Sequence, residues 1–273
     1  MTPSLLILTD FFQAANRALD YATNLAGPLG ARLVLLHVRR DSILDPEMFT
    51  GELSNLSKEA IDLTLNSISR DLPVPVVAEV GYGRVAYAVA DAVSRHHPTL
   101  IILGRPDTEA TPDELVSTTA LDILRTAPYP MLVVPHNVHT THPPRRVLLA
   151  ADGEPFSLGR HAGAMRQLFT ALHVELTVLH VSENPSPDAT AQALASVQRT
   201  GMTTDLATPI DTRNGRASAP AEGILQAAQP ADCDLVILLA RPRSFWGELF
   251  HHSVTAQVLL HSVVPVLVLP TVD

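Results

Sequence analysis

Four apolar runs occur twice in this chain, in the same order, and that duplication limits the possible folds more than any other feature. Leu-Leu-Ile-Leu-Thr-Asp at 5–10 returns as Val-Leu-Leu-Ala-Ala-Asp at 147–152, and LVLLHV at 33–38 as LTVLHV at 176–181. LIILGRP at 100–106 returns as LVILLARP at 235–242, and MLVVP at 131–135 as VLVLP at 266–270. The offset stays between 135 and 143 residues, which marks an internal repeat. A 273-residue chain so divided holds two domains, each long enough for its own core. We set them at 1–138 and 146–273, joined by a linker at 139–145 inside the polar, proline-broken stretch HNVHTTHPPRR at 136–146.

Each half alternates short apolar runs with longer amphipathic stretches. The pattern predicts strands at 4–9, 32–38, 74–80, 99–104 and 130–135, then at 145–151, 174–181, 203–210, 234–239 and 265–270. Helices are predicted at 13–27, 46–70, 84–97 and 113–127, then at 157–172, 188–201, 218–229 and 247–262. Unbroken runs such as 33–36 and 100–103 indicate strands buried on both faces, as in parallel sheets. The fold class is therefore α/β: two doubly wound five-stranded parallel sheets, order 3-2-1-4-5. Gly30 marks the end of the first helix. The Val-rich closing strands would be exposed apolar edges unless they pair with each other as a pseudo-twofold. In such sheets a ligand binds beyond the carboxyl ends of the strands, where strand order reverses. Asp10 and Gly104-Arg105-Pro106 fall there in the first half, Asp152 and Ala240-Arg241-Pro242 in the second.

Composition removes several function classes. A net charge of −9, with neither half basic, argues against nucleic acid or an anionic membrane as the main partner. Lysine occurs once, at Lys58, which leaves no Walker-type loop and no good Schiff-base candidate. Cys233 is the only cysteine and precedes an apolar run, so it reads as a buried structural thiol. No run approaches the ~20 apolar residues of a membrane span, and the N-terminus lacks a signal pattern. The expected address is the cytoplasm.

Asp ending the first strand of each half (Asp10, Asp152), Leu-His-Val ending the second (36–38, 179–181) and the closing blocks ALDILRTAPYPMLVVP (120–135) and TAQVLLHSVVPVLVLP (255–270) resemble tandem universal stress proteins over nearly the whole chain. The resemblance implies a Rossmann-like fold of the adenine nucleotide alpha hydrolase type, and a fused pseudo-dimer. Its ATP-binding members carry Gly-x2-Gly-x9-Gly-[Ser/Thr] after strand four, where glycines let backbone amides reach the phosphates. Here the first half has Gly104, then Asp107 and Ser117, with Thr118 following. The second half has Leu239 or Ala240, then Pro242 and His252, with Ser253 following. An aspartate adds like-charge repulsion to a phosphate, and a proline removes an amide donor.

A nucleotide site, the alternative to a lost one, would use Asp10, the backbone near Val38, Gly104, Arg105 and Thr118, with Asp152, Val181, Arg241 and Ser253 as non-binding equivalents; the two arginines enter because both halves carry Arg-Pro there. Asp10 either contacts an adenine or ribose edge or caps the next helix; for Asp152 capping is favoured. Arg105 and Arg241, each followed by proline, either clamp an anion or are solvated loop residues.

Gly81-Tyr-Gly83-Arg-Val-Ala86 matches a dinucleotide fingerprint in letters, yet follows the third strand and not the first, so a glycine turn is favoured. The twelve histidines include His96-His97, His251-His252 and the linker's His136, His139 and His142, without a completed metal spacing. His37 and His180 end strands as satisfied core-edge residues. Phe245 and Trp246 read as a plug, with 245–250 a possible surface. Nucleophilic motifs are absent.

The expected function is a non-catalytic, cytoplasmic stress-response protein that binds an unknown protein partner or small ligand, without metal or cofactor. The alternative is ATP or AMP binding, or weak ATP hydrolysis, through the first half.

Overall fold

The structure, a computed structural model, describes residues 2–11, 13–39, 58–107, 113–138, 142–241 and 253–272, with backbone alone for 58 and 113–118. The first half runs β1 (Ser4–Thr9), α1 (Gln13–Leu29), β2 (Arg32–Arg39), α2 (Lys58–Asp71), β3 (Val76–Tyr82), α3 (Val85–His96), β4 (Leu100–Arg105), α4 (Asp113–Thr126) and β5 (Met131–Pro135). The second runs β6 (Arg146–Ala150), α5 (Ala162–Ala171), β7 (Glu175–Ser182), α6 (Pro187–Gln198), β8 (Asp211–Arg216), α7 (Pro220–Ala227), β9 (Leu235–Ala240), α8 (Val254–His261) and β10 (Val266–Pro270).

The strands form one sheet in the order β3-β2-β1-β4-β5-β10-β9-β6-β7-β8. Each half keeps the expected 3-2-1-4-5 order and is parallel throughout. What differs from two separate sheets is the junction. β5 and β10 pair antiparallel, with Leu132 opposite Leu267, so the closing edges cover each other and the sheets fuse.

Alternation sends Leu5 and Ile7 to one face and Leu6 to the other. The first face is covered by α1, α2, α5 and α6, the second by α3, α4, α7 and α8. Because both faces are buried, the strands need no polar alternation. Helix α1 ends as expected at Gly30 (φ 56), where Ala31 N–H bonds Ala26 and Gly30 N–H bonds Gly27.

Two expectations shift. The eighth strand is not at 203–210 but at Asp211–Arg216, whose residues are nearly all exposed. The helix expected from 157 begins with a 3₁₀ turn, Gly159–His161, and becomes α-helical only at Ala162. The predicted helical residues 46–57 and 247–252 lie outside the described residues, as do Phe245, Trp246, His139, His251, His252 and Pro242.

Candidate functional site

Strand order reverses between β1 and β4 in the first half and between β6 and β9 in the second, so the carboxyl ends of these pairs are the candidate sites. The strand ladders first settle which residues are equivalent. Gly104 pairs with Val134 and Arg105 with Pro135. Leu239 pairs with Leu269 and Ala240 with Pro270. Since Pro135 and Pro270 close their halves alike, Leu239 matches Gly104, and Ala240 matches Arg105. The two Arg-Pro dipeptides are thus offset by one residue, and their arginines occupy different places.

Gly104 sits directly against the first turn of α1. A Cβ there would lie 2.1 Å from the Ala14 carbonyl oxygen and 2.8 Å from the Ala15 nitrogen. Arg105 is buried, 6% exposed, and reaches across to the other half. Its Nη1 donates to the Leu259 carbonyl and its Nη2 to that of Ser262, both at 2.6 Å. It is not the solvated loop arginine of one expectation: Nη1 and Nη2 are both engaged by the end of α8. Thr118 lies inside α4, past the first four residues, so its N–H belongs to the helical ladder and not to a loop.

Asp10 is exposed, and α1 begins only at Gln13. Between them Phe11 adopts φ 68, rare for a bulky residue, with its N–H on the Thr9 hydroxyl. Its ring stacks on His37 at 4.7 Å, and His37 Nδ1–H donates to the Thr9 carbonyl at 2.9 Å. Val38 lies opposite Gly81 on β3. The Gly81–Ala86 segment is the turn from an edge strand into α3, with Gly83 at φ 87.

The second half is arranged differently. Asp152 does not cap a helix, because α5 starts well beyond it. Its carboxylate accepts from the Glu154 N–H and forms a two-pronged pair with Arg241, Nε to Oδ2 at 3.2 Å and Nη2 to Oδ1 at 2.7 Å. Arg241 also donates to the Glu154 and Pro155 carbonyls. His180 Nδ1–H donates to the Ala151 carbonyl, matching His37 and bearing out the core-edge reading. Val181 packs against Gly215 and Gly223, where a Cβ would meet it at 3.0 and 2.4 Å. Ser253 caps α8 by accepting from Ala256 N–H. Among the described residues no three His, Cys, Asp or Glu side chains are grouped to hold a metal. Cys233 is buried, and that burial pushes its thiol up to about 11.

Sequence reasoning missed the Phe11–His37 stack and the Asp152–Arg241 pair. The first has a signal in the strand-ending His-Val runs followed back to Asp-Phe. The second shows only once the ladders have offset the two arginines.

The sequence matches the profile of the Universal stress protein family twice, over residues 1–135 and 144–270. The chain belongs to the universal stress protein family. This universal stress protein is similar in fold to one from Archaeoglobus fulgidus DSM 4304 at 16% identity, covering 99% of both chains, with a TM-score of 0.70. It is also similar to a protein described as a universal stress protein from Pseudomonas aeruginosa UCBPP-PA14 (17% identity, 99% and 94% covered, TM-score 0.63). A functionally unknown protein from Pseudomonas aeruginosa PAO1 shares the fold as well (18% identity, 99% and 93% covered, TM-score 0.59). No curated protein sequence matches the chain. No helix among the described residues is long and apolar enough to cross a membrane.

Burial lowers the pKa of His37, and of His161, from the ordinary 6.5. The unfolded chain then binds more protons in the window just below 6.5, so stability present above that pH is lost as pH falls through it. We expect the urea midpoint to drop between pH 7.5 and 5.5. The double variant His37→Asn/His161→Gln should flatten that slope, and an unchanged slope would count against this origin.

Proposed function

We propose that this universal stress protein is a non-catalytic, cytoplasmic regulatory protein that works by binding a partner protein or small ligand, and that neither half grips a triphosphate. The reading rests chiefly on Gly104. The one glycine left from the phosphate-loop pattern has its open side against the backbone of Ala14, so its role is packing and not access to a ligand. The other motif positions carry Asp107, Ser117, Leu239, Pro242 and His252 in place of the glycines whose uncovered amides suit a phosphate. A single buried cysteine and no possible internal disulfide suit a reducing compartment.

A thermal-shift titration with ATP and AMP tests the proposal. A ligand at 100 times its Kd stabilises by about 2.7 kcal/mol. We expect no shift at millimolar nucleotide. A shift removed by Asp10→Ala would instead favour nucleotide binding through Asp10 and the backbone near Val38. Gly104 variants are unsuitable controls, because they strike packing.

A further inference from the structure

The connection after the first strand differs sharply between the halves. In the first, β1 ends at Thr9 and α1 already begins at Gln13. In the second, residues 151–158 follow β6, bond Arg241 just past β9 and bridge to Val272 just past β10 before the 3₁₀ turn begins at Gly159. This longer segment is not loose. Gly153 takes φ 86 and lies against α6, with the position of a Cβ 3.6 Å from the Ala193 nitrogen. Leu158 is 1% exposed and Phe156 packs onto the core. Ser157 bridges to Val272, whose N–H donates to the Ser157 carbonyl at 2.9 Å.

One residue fastens the segment to the far side of the opening. Arg241, just past the end of β9, donates to both Asp152 oxygens, to the Glu154 carbonyl at 3.1 Å and to the Pro155 carbonyl at 3.2 Å. The Glu154 carboxylate adds a longer contact at 3.8 Å. The guanidinium side chain is only 11% exposed. The bonds therefore span the gap between β6 and β9, which is where strand order reverses and where a sheet of this kind takes its ligand. The planar fork of arginine, with five donors, can serve a carboxylate and two carbonyls together. The one-residue offset of the Arg-Pro dipeptide is what makes this possible. Arg105, one position earlier in its half, points into the interface and holds α8.

We propose that residues 151–158 are an autoinhibitory strap over the ligand mouth of the second half, and that Arg241 is its latch. The strap keeps that half silent while it is fastened, and breaking the latch uncovers the carboxyl ends of β6 and β9. The inference deepens the reading above for the second half and rests on it, since a silent mouth is what that reading requires.

Hydrogen–deuterium exchange on the full chain tests the latch from both sides, with Arg241→Gln and Asp152→Asn. The asparagine keeps an oxygen for the Glu154 N–H and removes the charge. We expect amides of residues 153–159 to exchange at least tenfold faster in both variants, while peptides from β6, β9 and α5 stay as in the unaltered chain. A thiol at the covered carboxyl end of β9, Leu239→Cys, should be labelled at least tenfold faster when combined with Arg241→Gln; Cys233→Ser removes the background. Unchanged strap exchange in either variant overturns the latch. Acceleration spread through β6, β9 and α5 overturns it too, since Arg241 would then serve only general stability. Faster exchange without faster labelling overturns the claim that the strap covers the mouth. A thermal shift of the unaltered chain by ATP would defeat the preceding proposal through a different readout, so the two failures are distinguishable.

Discussion

Gly104→Ala is expected to destabilise the chain by on the order of 3 kcal/mol or more, a large share of the stability of an ordinary domain. The added methyl would stand 2.1 Å from the Ala14 carbonyl oxygen, 2.3 Å from its carbon and 2.8 Å from the Ala15 nitrogen. All three are backbone atoms in the first turn of α1, so no side chain can rotate aside. Relief requires moving the helix, and α1 packs along β1, β4 and β5 with Ala18 and Ala22 fully buried. The comparison is Gly163→Ala, in helix α5, where a Cβ meets nothing within 4 Å. That change should be stabilising by about 0.5–1 kcal/mol, because alanine is the better helix former. Urea midpoints followed by circular dichroism separate the two. A Gly104→Ala midpoint equal to the unaltered chain's would falsify the packing role, and with it the main support for the proposed function.

The second half shows how the same place is built without glycine. Leu239 occupies the position of Gly104, and α5 starts far later after its strand than α1 does. The helix start and the residue size therefore change together: a close helix needs glycine, and a retracted one leaves room for leucine.

Apolar repetition carries most of the fold, because strands buried on both faces must be written as continuous apolar runs. That is why 33–36 and 100–103 announce β2 and β4, and why the closing Val-rich runs announce the β5–β10 junction. The rule fails for β8. Asp-Thr-Arg-Asn-Gly-Arg at 211–216 is nearly all exposed at the sheet's edge and pairs there with β7. With no buried face there is no apolar signature, and the neighbouring 203–210, which holds Leu206 and Ile210, draws the assignment instead. The candidate site was legible in its location and not in its wiring. In the second half Asp152 and Arg241, the residue after β9, do meet at the switch point. Which arginine goes where depends on a one-residue offset that matching letters conceal, since Arg-Pro aligns with Arg-Pro in text while the ladder places Arg105 against Ala240.

Arg105→Met is expected to cost about 3 kcal/mol, for reasons that belong to α8 and not to a ligand. Helix α8 ends at His261, so the carbonyls of Leu259 and Ser262 fall where a helix runs out of its own donors. Both are bonded to Arg105 at 2.6 Å, and a positive charge suits the negative end of the helix dipole. Ser262 is 1% exposed, leaving water no ready access if the guanidinium goes. A buried acceptor without a partner costs about 1–3 kcal/mol, and methionine leaves two of them. Arg105→Lys should recover only part, because an ammonium is a point charge and cannot span two carbonyls as the guanidinium fork does. The loss should also be local to the fused interface: exchange in peptides covering 254–262 should rise before that of β1 and β2, although Arg105 itself stands on β4. A methionine variant with an unaltered midpoint and unaltered exchange there would show that the first half does not hold the end of α8. The pseudo-symmetric bond from the second half is missing for a plain reason. Its position is Ala240, which has no side chain able to reach the matching end of α4.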